Sequence, residues 1–203
     1  LVFFFVVWQL RGKFPDLLED PKMGAEARKL YEDANRLLDR IEREKLLTAN
    51  GVLGIFPANS VGDDIEVYDS EERKKVIATF RNLRNQTLKE NGSPNLCLSD
   101  FVAPRGSGQI DYLGAFAVTA GEGIGNILRE FEKDHDDYQS IMVKALADRL
   151  AEAFTELLHL KVRKEYWGYA PDEKMSLQNM LLEKYEGIRP AHGYPACPDH
   201  SEK

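Results

Sequence analysis

The chain is 203 residues long, carries 27 basic and 34 acidic side chains for a formal charge of −7, and is 43% apolar, an ordinary globular balance. A chain of this size buries roughly 70% of the surface its unfolded form exposes, so a packed core needs no disulfide, metal or bilayer to explain it. The acidic balance and the scattered basic residues speak against nucleic acid or an anionic membrane as the main partner.

The opening run, LVFFFVVWQL, is apolar but about half the length of a membrane span, and no basic leader precedes it. It begins without Met inside a strand-like pattern, so the chain is expected to be a fragment. Residues 3–10, rich in aromatic and β-branched side chains, predict a buried strand that stops at Arg11-Gly12. Asp20-Pro21 opens a long helix with Pro at its first position and Ala25, Leu30, Leu37, Leu38 and Ile41 as its apolar side. Residues 51–56 and 65–68 read as strands joined through Gly62-Asp63-Asp64, which suggests an antiparallel hairpin. Residues 71–89 fit a helix, or a helix followed by an extended piece, up to the break at Asn91-Gly92-Ser93-Pro94.

A small-residue strand follows at 112–119, then a glycine loop and a helix beginning at 127–131. The strongest period runs from 138 to about 164, with Met142, Leu146, Leu150, Ala153, Phe154, Leu157 and Leu158 as its core side. Lys161, Arg163 and Lys164 fall in its last turn, where the helix dipole favours cations. After a short helix at 177–185, three prolines and two glycines within 187–200 forbid regular structure.

Several groupings invite chemistry. Gly121-Glu-Gly-Ile-Gly125-Asn126 lies between strand and helix as a dinucleotide loop would, but its third glycine comes one residue early, which favours a flexible surface loop. His135-Asp136-Asp137 holds metal-ligand types, although a helix cap explains the acids more simply. Cys197-Pro-Asp-His200 suggests zinc, for which a second ligand pair is lacking, or a nucleophilic Cys197 served by His200 or His192; the alternative is a packed cysteine. Cys97 and Cys197 lie far apart with no secretory signal, pointing to a reducing, cytoplasmic compartment. Asp148, Glu152 and Glu156 recur every four residues, either as a solvated acidic face or as a row turned to a cationic ligand or partner. The loop from Arg189 to His200 is either a plain Pro-rich connection or a rigid segment that presents backbone groups at a fixed place, with one guanidinium for a carboxylate or phosphate.

Six segments, in order along the chain, carry a resemblance: FPANSVGDDIEVY (56–68), CLSDFVAP (97–104), DYLGAFAVT (111–119), HDDYQSIMVKALADRLAEAF (135–154), YWGYAPDE (166–173) and GIRPAHGYPACPDHSEK (187–203). Together they resemble the activation domain of cobalamin-dependent methionine synthase. The resemblance implies a single α+β domain, with a twisted antiparallel sheet and helices packed around it. It implies an Arg-x-x-x-Gly-Tyr signature that contacts S-adenosylmethionine, here Arg189, Gly193 and Tyr194 with Ala191 supplying backbone between them. Arg189 suits the ligand's carboxylate and Gly193 allows close backbone approach.

Glu152 matches a family acid suited to the α-ammonium, Asp148 lies on the helix face turned to the cobalamin domain, and His192 has no implied role. The family pattern also has an acid just before the Trp8 segment and further strands after Lys203, so the resemblance makes this an activation-domain fragment over residues 1–203. The parent enzyme is a methyltransferase of methionine biosynthesis. Its activation domain holds S-adenosylmethionine for reductive methylation of oxidised cobalamin, with the cobalamin on a neighbouring domain of the same polypeptide and the electron from flavodoxin or a related flavoprotein. Zinc belongs to the parent enzyme and not to this chain, and no residue here is expected to be catalytic. Two rival functions are an adaptor that docks on a cobalamin domain without a small ligand and an enzyme dependent on Cys197.

Overall fold

The hairpin expected around Gly62 lies at the middle of the sheet. In the computed structural model, which describes residues 2–89, 92–191, 193–194 and 196–198, strand β1 (Thr48–Val61) turns into β2 (Asp64–Tyr68) with Ala58 opposite Val67 and Val61 opposite Asp64. Pairing with β2 begins at Ala58, just after Pro57, which has no N–H to give to a ladder. The undecided stretch after residue 71 contains a strand, β3 (Val76–Phe80), antiparallel to β2, and β4 (Tyr112–Glu122) borders β1 on the other side. The result is a four-stranded antiparallel open sheet in the order β3-β2-β1-β4.

Contacts divide the chain into two compact units: Leu1–Val52 with Ala117–Val162, and Leu53–Phe116 with Arg163–Lys203. The first unit is mainly helical. Residues 3–10 do not form the expected strand: α1 (Val2–Val6) is a short helix followed by a turn. Burial of Phe4 and Phe5 in the core they share with Met142, Val143 and Leu146 overrides the β-propensity of the run. Each such side chain contributes roughly 1.5–3 kcal/mol on burial. Trp8 continues this aromatic packing, 5.2 Å from Phe4 and 6.1 Å from Tyr138 between ring centroids.

Helix α2 (Gly24–Glu44) starts later than expected, and Pro21 lies outside it. Asp20 instead closes the preceding turn, its carboxylate accepting the Lys22 and Met23 N–H groups at 2.8 and 2.9 Å. Those backbone donors hold the Asp20 carboxyl below its ordinary range. The buried face of α2 is Ala27, Leu30, Ala34, Leu37 and Ile41, whereas Ala25 is exposed. Tyr138 donates a 2.8 Å hydrogen bond to Asp33 on the same helix.

Helix α3 (Ile124–Lys133) follows β4 directly, so residues 121–126 are not a flexible surface loop. Gly123 adopts φ +96°, and a Cβ there would stand 2.6 Å from the Leu46 carbonyl oxygen. This glycine is required by a close backbone approach. Helix α4 (Asp137–Lys161) is capped by Asp136, whose side chain accepts the Gln139 N–H at 3.0 Å. Its first half is buried at Met142, Val143, Ala145 and Leu146. Ala153 and Leu157, expected in the core, are exposed, because the shared core cluster ends at Leu146 and Phe154 rests on the bare backbone of Gly51.

In the second unit, Ala58, Ile65, Val67 and Val102 form the core. Ser60 straps the 97–104 segment to β1: its hydroxyl donates to the Val102 carbonyl at 2.8 Å and its N–H to the Ala103 carbonyl at 3.0 Å. Arg73 donates to the carbonyls of Ala58 (2.9 Å) and Asp111 (2.8 Å) and to Asn59 (2.8 Å), between the rings of Tyr68 and Tyr112. Trp167 packs over Gly114 of β4, where a Cβ would come within 3.1 Å of its ring. Helix α5 (Leu177–Leu181), capped by Ser176, is shorter than the 177–185 expected.

Candidate functional site

The signature loop belongs to the second unit, and among the described residues it leaves α5 without entering another helix or strand. Its approach is anchored by a buried ion pair. Arg163 is 0% exposed and makes a two-point contact with Glu173, Nε to Oε2 and Nη2 to Oε1, both 2.8 Å. Its guanidinium lies 4.3 Å from the ring centroid of Tyr185. Hydrogen bonding to Glu173 raises the Arg163 pKa against the opposing effect of burial, so the cation is secure. The Lys164 ammonium donates to the Glu173 carbonyl at 3.1 Å, and the Ala170 N–H donates to the Arg163 carbonyl at 2.9 Å.

Two residues beyond Tyr185, Gly187 has φ +84°, and a Cβ there would stand 2.8 Å from the Tyr169 hydroxyl. That hydroxyl donates to the Glu186 carbonyl at 3.3 Å. Burial is the main cause of the raised Tyr169 pKa, which keeps the phenol protonated as a donor.

The loop then closes on itself. The Gly193 N–H donates to the Cys197 carbonyl at 2.9 Å, the Cys197 N–H to the Tyr194 carbonyl at 2.8 Å, and the Tyr194 N–H to the Ala191 carbonyl at 3.4 Å. Gly193 has φ +89°, a conformation costly for any residue with a Cβ. Ala191, Gly193 and Tyr194 are exposed, Tyr194 by 58%, while Arg189 is half-buried. The turn gathers Ala191, Gly193 and Tyr194, and Arg189 precedes it by two residues in the chain. This set suits an amino-acid carboxylate and a flat heterocycle.

Glu152 and Asp148 lie on α4 in the first unit, both exposed, with Glu152 paired to Arg149 at 3.1 Å. Cys197 is 2% exposed, which removes the access a nucleophile needs, and its suggested partners His192 and His200 lie outside the described residues. Cys97 is likewise buried, its thiol donating to the Asp63 carbonyl at 3.5 Å. Of the suspected metal cluster at 135–137, Asp136 serves as the cap of α4.

Sequence reasoning missed Arg163, Glu173, Tyr169 and Tyr185. Arg163 and Lys164 read as cations at a helix end, but α4 stops at Lys161 and they occupy a π-helical turn over Val162–Tyr166. The available signal was the YWGYAPDE segment, which contains both Tyr169 and Glu173.

The family described as "Vitamin B12 dependent methionine synthase, activation domain" matches residues 1–203. A solved structure described as "Crystal Structure of the MetH Reactivation Domain bound to AdoHcy" is 57% identical and superposes with a TM-score of 0.91, over 99% of this chain and 62% of that one. The chain therefore spans under two thirds of the solved domain's length.

Proposed function

The chain belongs to the activation-domain family of vitamin B12 dependent methionine synthases, and from that premise we propose that its 187–198 loop binds S-adenosylmethionine and orients the sulfonium methyl for reactivation of a cobalamin carried by another domain. The observation that carries this reading is the closed turn at Gly193, which displays Tyr194 and backbone groups, with a half-buried Arg189 just before it in the chain. The 57% identity to a reactivation domain bound to AdoHcy supports it, because AdoHcy is what S-adenosylmethionine becomes on losing its methyl.

In this reading Arg189 pairs with the ligand's carboxylate, Gly193 admits its close approach, and Ala191 and Tyr194 supply backbone and a ring face. The assignment of Glu152 to the α-ammonium and of Asp148 to the face turned to the cobalamin domain rests on the sequence match. The neighbouring cobalamin and a flavodoxin-class reductant supply the metal chemistry and the electron. This chain contributes binding and orientation, so no side chain acts as acid or base, and its share of the rate enhancement is positional. The partner is the cobalamin domain of the same polypeptide, in a cytoplasmic setting consistent with two buried cysteines held as thiols rather than in a disulfide.

Titration calorimetry with S-adenosylmethionine and AdoHcy tests the proposal. Arg189→Ala should weaken both ligands by about one to two decades, since a charge-assisted hydrogen bond is worth about 1.5–3 kcal/mol. Unchanged affinity in a folded variant rejects the role of Arg189.

A further inference from the structure

Among the described residues from 182 to 198 there is no helix, and the sole ladder element is the Tyr194/Cys197 bridge. The direction in which the loop leaves must therefore come from side chains at its entry. Two such contacts meet within three residues: Tyr185 lies against the Arg163 guanidinium, and Gly187 receives the Tyr169 hydroxyl, which also holds the Glu186 carbonyl.

We infer that Arg163, fixed edge-on by Glu173 and covered by Tyr185, is a positioning residue for the S-adenosylmethionine loop. The inference rests on the ligand assignment above and extends it to a residue outside the signature. A buried ion pair is a poor way to gain stability, because apolar side chains of similar volume hold a core at least as well without desolvating two charges. Arg163 performs two tasks that apolar residues cannot combine. The edge of its planar fork meets both oxygens of Glu173, and its cation sits over an aromatic ring, 4.3 Å from the centroid. Lys at this position would keep the charge and lose both the fork and the face.

The platform is itself fixed, since the Arg163 carbonyl accepts from Ala170 and the Glu173 carbonyl from Lys164. From Tyr185 to Arg189 is four residues, so the ring contact acts close to the start of the signature.

The test uses Arg163→Lys, Tyr185→Leu and Tyr185→Phe in the protein, with two readouts. Without ligand, amide exchange by NMR is followed at Gly193 and Cys197, whose N–H groups close the turn, and along α2 as an internal reference. With AdoHcy as the probe, affinity is measured by calorimetry. Arg163→Lys and Tyr185→Leu should each speed exchange at Gly193 and Cys197 at least tenfold relative to α2 and weaken AdoHcy at least tenfold; Tyr185→Phe, which keeps the ring, should match the parent. Tyr185→Leu leaves the ion pair whole and carries the test alone if Arg163→Lys fails to fold. Parent-like exchange at the turn, or acceleration equal to that of α2, overturns the positioning role. A loosened turn with unchanged AdoHcy affinity instead overturns the assignment of the ligand to this loop.

Discussion

Three glycine-to-alanine substitutions separate steric from conformational demands. At Gly123, alanine meets two costs at once: φ is +96°, and the new Cβ would stand 2.6 Å from the Leu46 carbonyl oxygen, with Leu46 C and Leu47 Cα at 3.7 and 3.9 Å. The left-handed backbone costs about 1–2 kcal/mol and forced overpacking about 1–3 kcal/mol, for a total of about 2–5 kcal/mol. Gly108 shares the backbone cost, with φ +72°, but has nothing within 4 Å, so alanine there should lose only the first term, about 1–2 kcal/mol. Gly125 lies within α3 with ordinary dihedrals and its nearest neighbour, an Arg129 nitrogen, at 3.8 Å. Alanine at that position should be neutral or stabilising by roughly 0.5 kcal/mol.

Urea titration followed by far-UV circular dichroism at 25 °C ranks the three. The expected order of stability is Gly125→Ala, then Gly108→Ala, then Gly123→Ala. A Gly123→Ala protein within about 0.5 kcal/mol of the parent, inside the range of an ordinary surface substitution, would refute the close approach as the reason for this glycine.

Glu173→Gln should destabilise the protein by about 3–5 kcal/mol, because it leaves a fully buried guanidinium without its counter-charge, while Arg163→Met/Glu173→Leu should recover most of that loss; thermal midpoints decide, at about 2–4 °C per kcal/mol. Asp100 is held below its usual range first by Arg84 and then by the Cys97 N–H. Its contribution is therefore present above the unfolded value of about 3.9 and lost as pH falls through the lower folded value, so the stability gap between parent and Asp100→Asn should be open at neutral pH and close under acid. Iodoacetamide should label Cys97 and Cys197 slowly in the native protein and quickly in urea, since both thiols are buried; fast native labelling of Cys197 would revive its candidacy as a nucleophile.

The elements legible from the sequence are those with a sustained period. Helices α2 and α4 repeat apolar residues over several turns, and the β1–β2 hairpin announces itself by Gly62. Helix α1 was illegible because five residues show no period, and its form is decided by burial of Phe4 and Phe5. Strand β3 was obscured by the charged stretch before it, EERKK, which reads as helix. Arg189, Gly193 and Tyr194 are singled out by family likeness alone, and the closed turn supplies a physical reason for the glycine. The Arg163–Glu173 pair stayed hidden because a basic residue near a helix end has an adequate local explanation, and its partner ten residues on has no periodic link to it.

The two tryptophans of the chain fall one in each unit: Trp8 beside Phe4 and Tyr138, and Trp167 over Gly114 between Tyr112 and Tyr169. Each half of the molecule thus contains its own native fluorophore. In Trp167→Phe the remaining emission reports only the helical unit, and in Trp8→Phe only the unit with the signature loop. Denaturation curves of the two variants therefore measure whether the halves melt as one cooperative body or in sequence, with no dye attached.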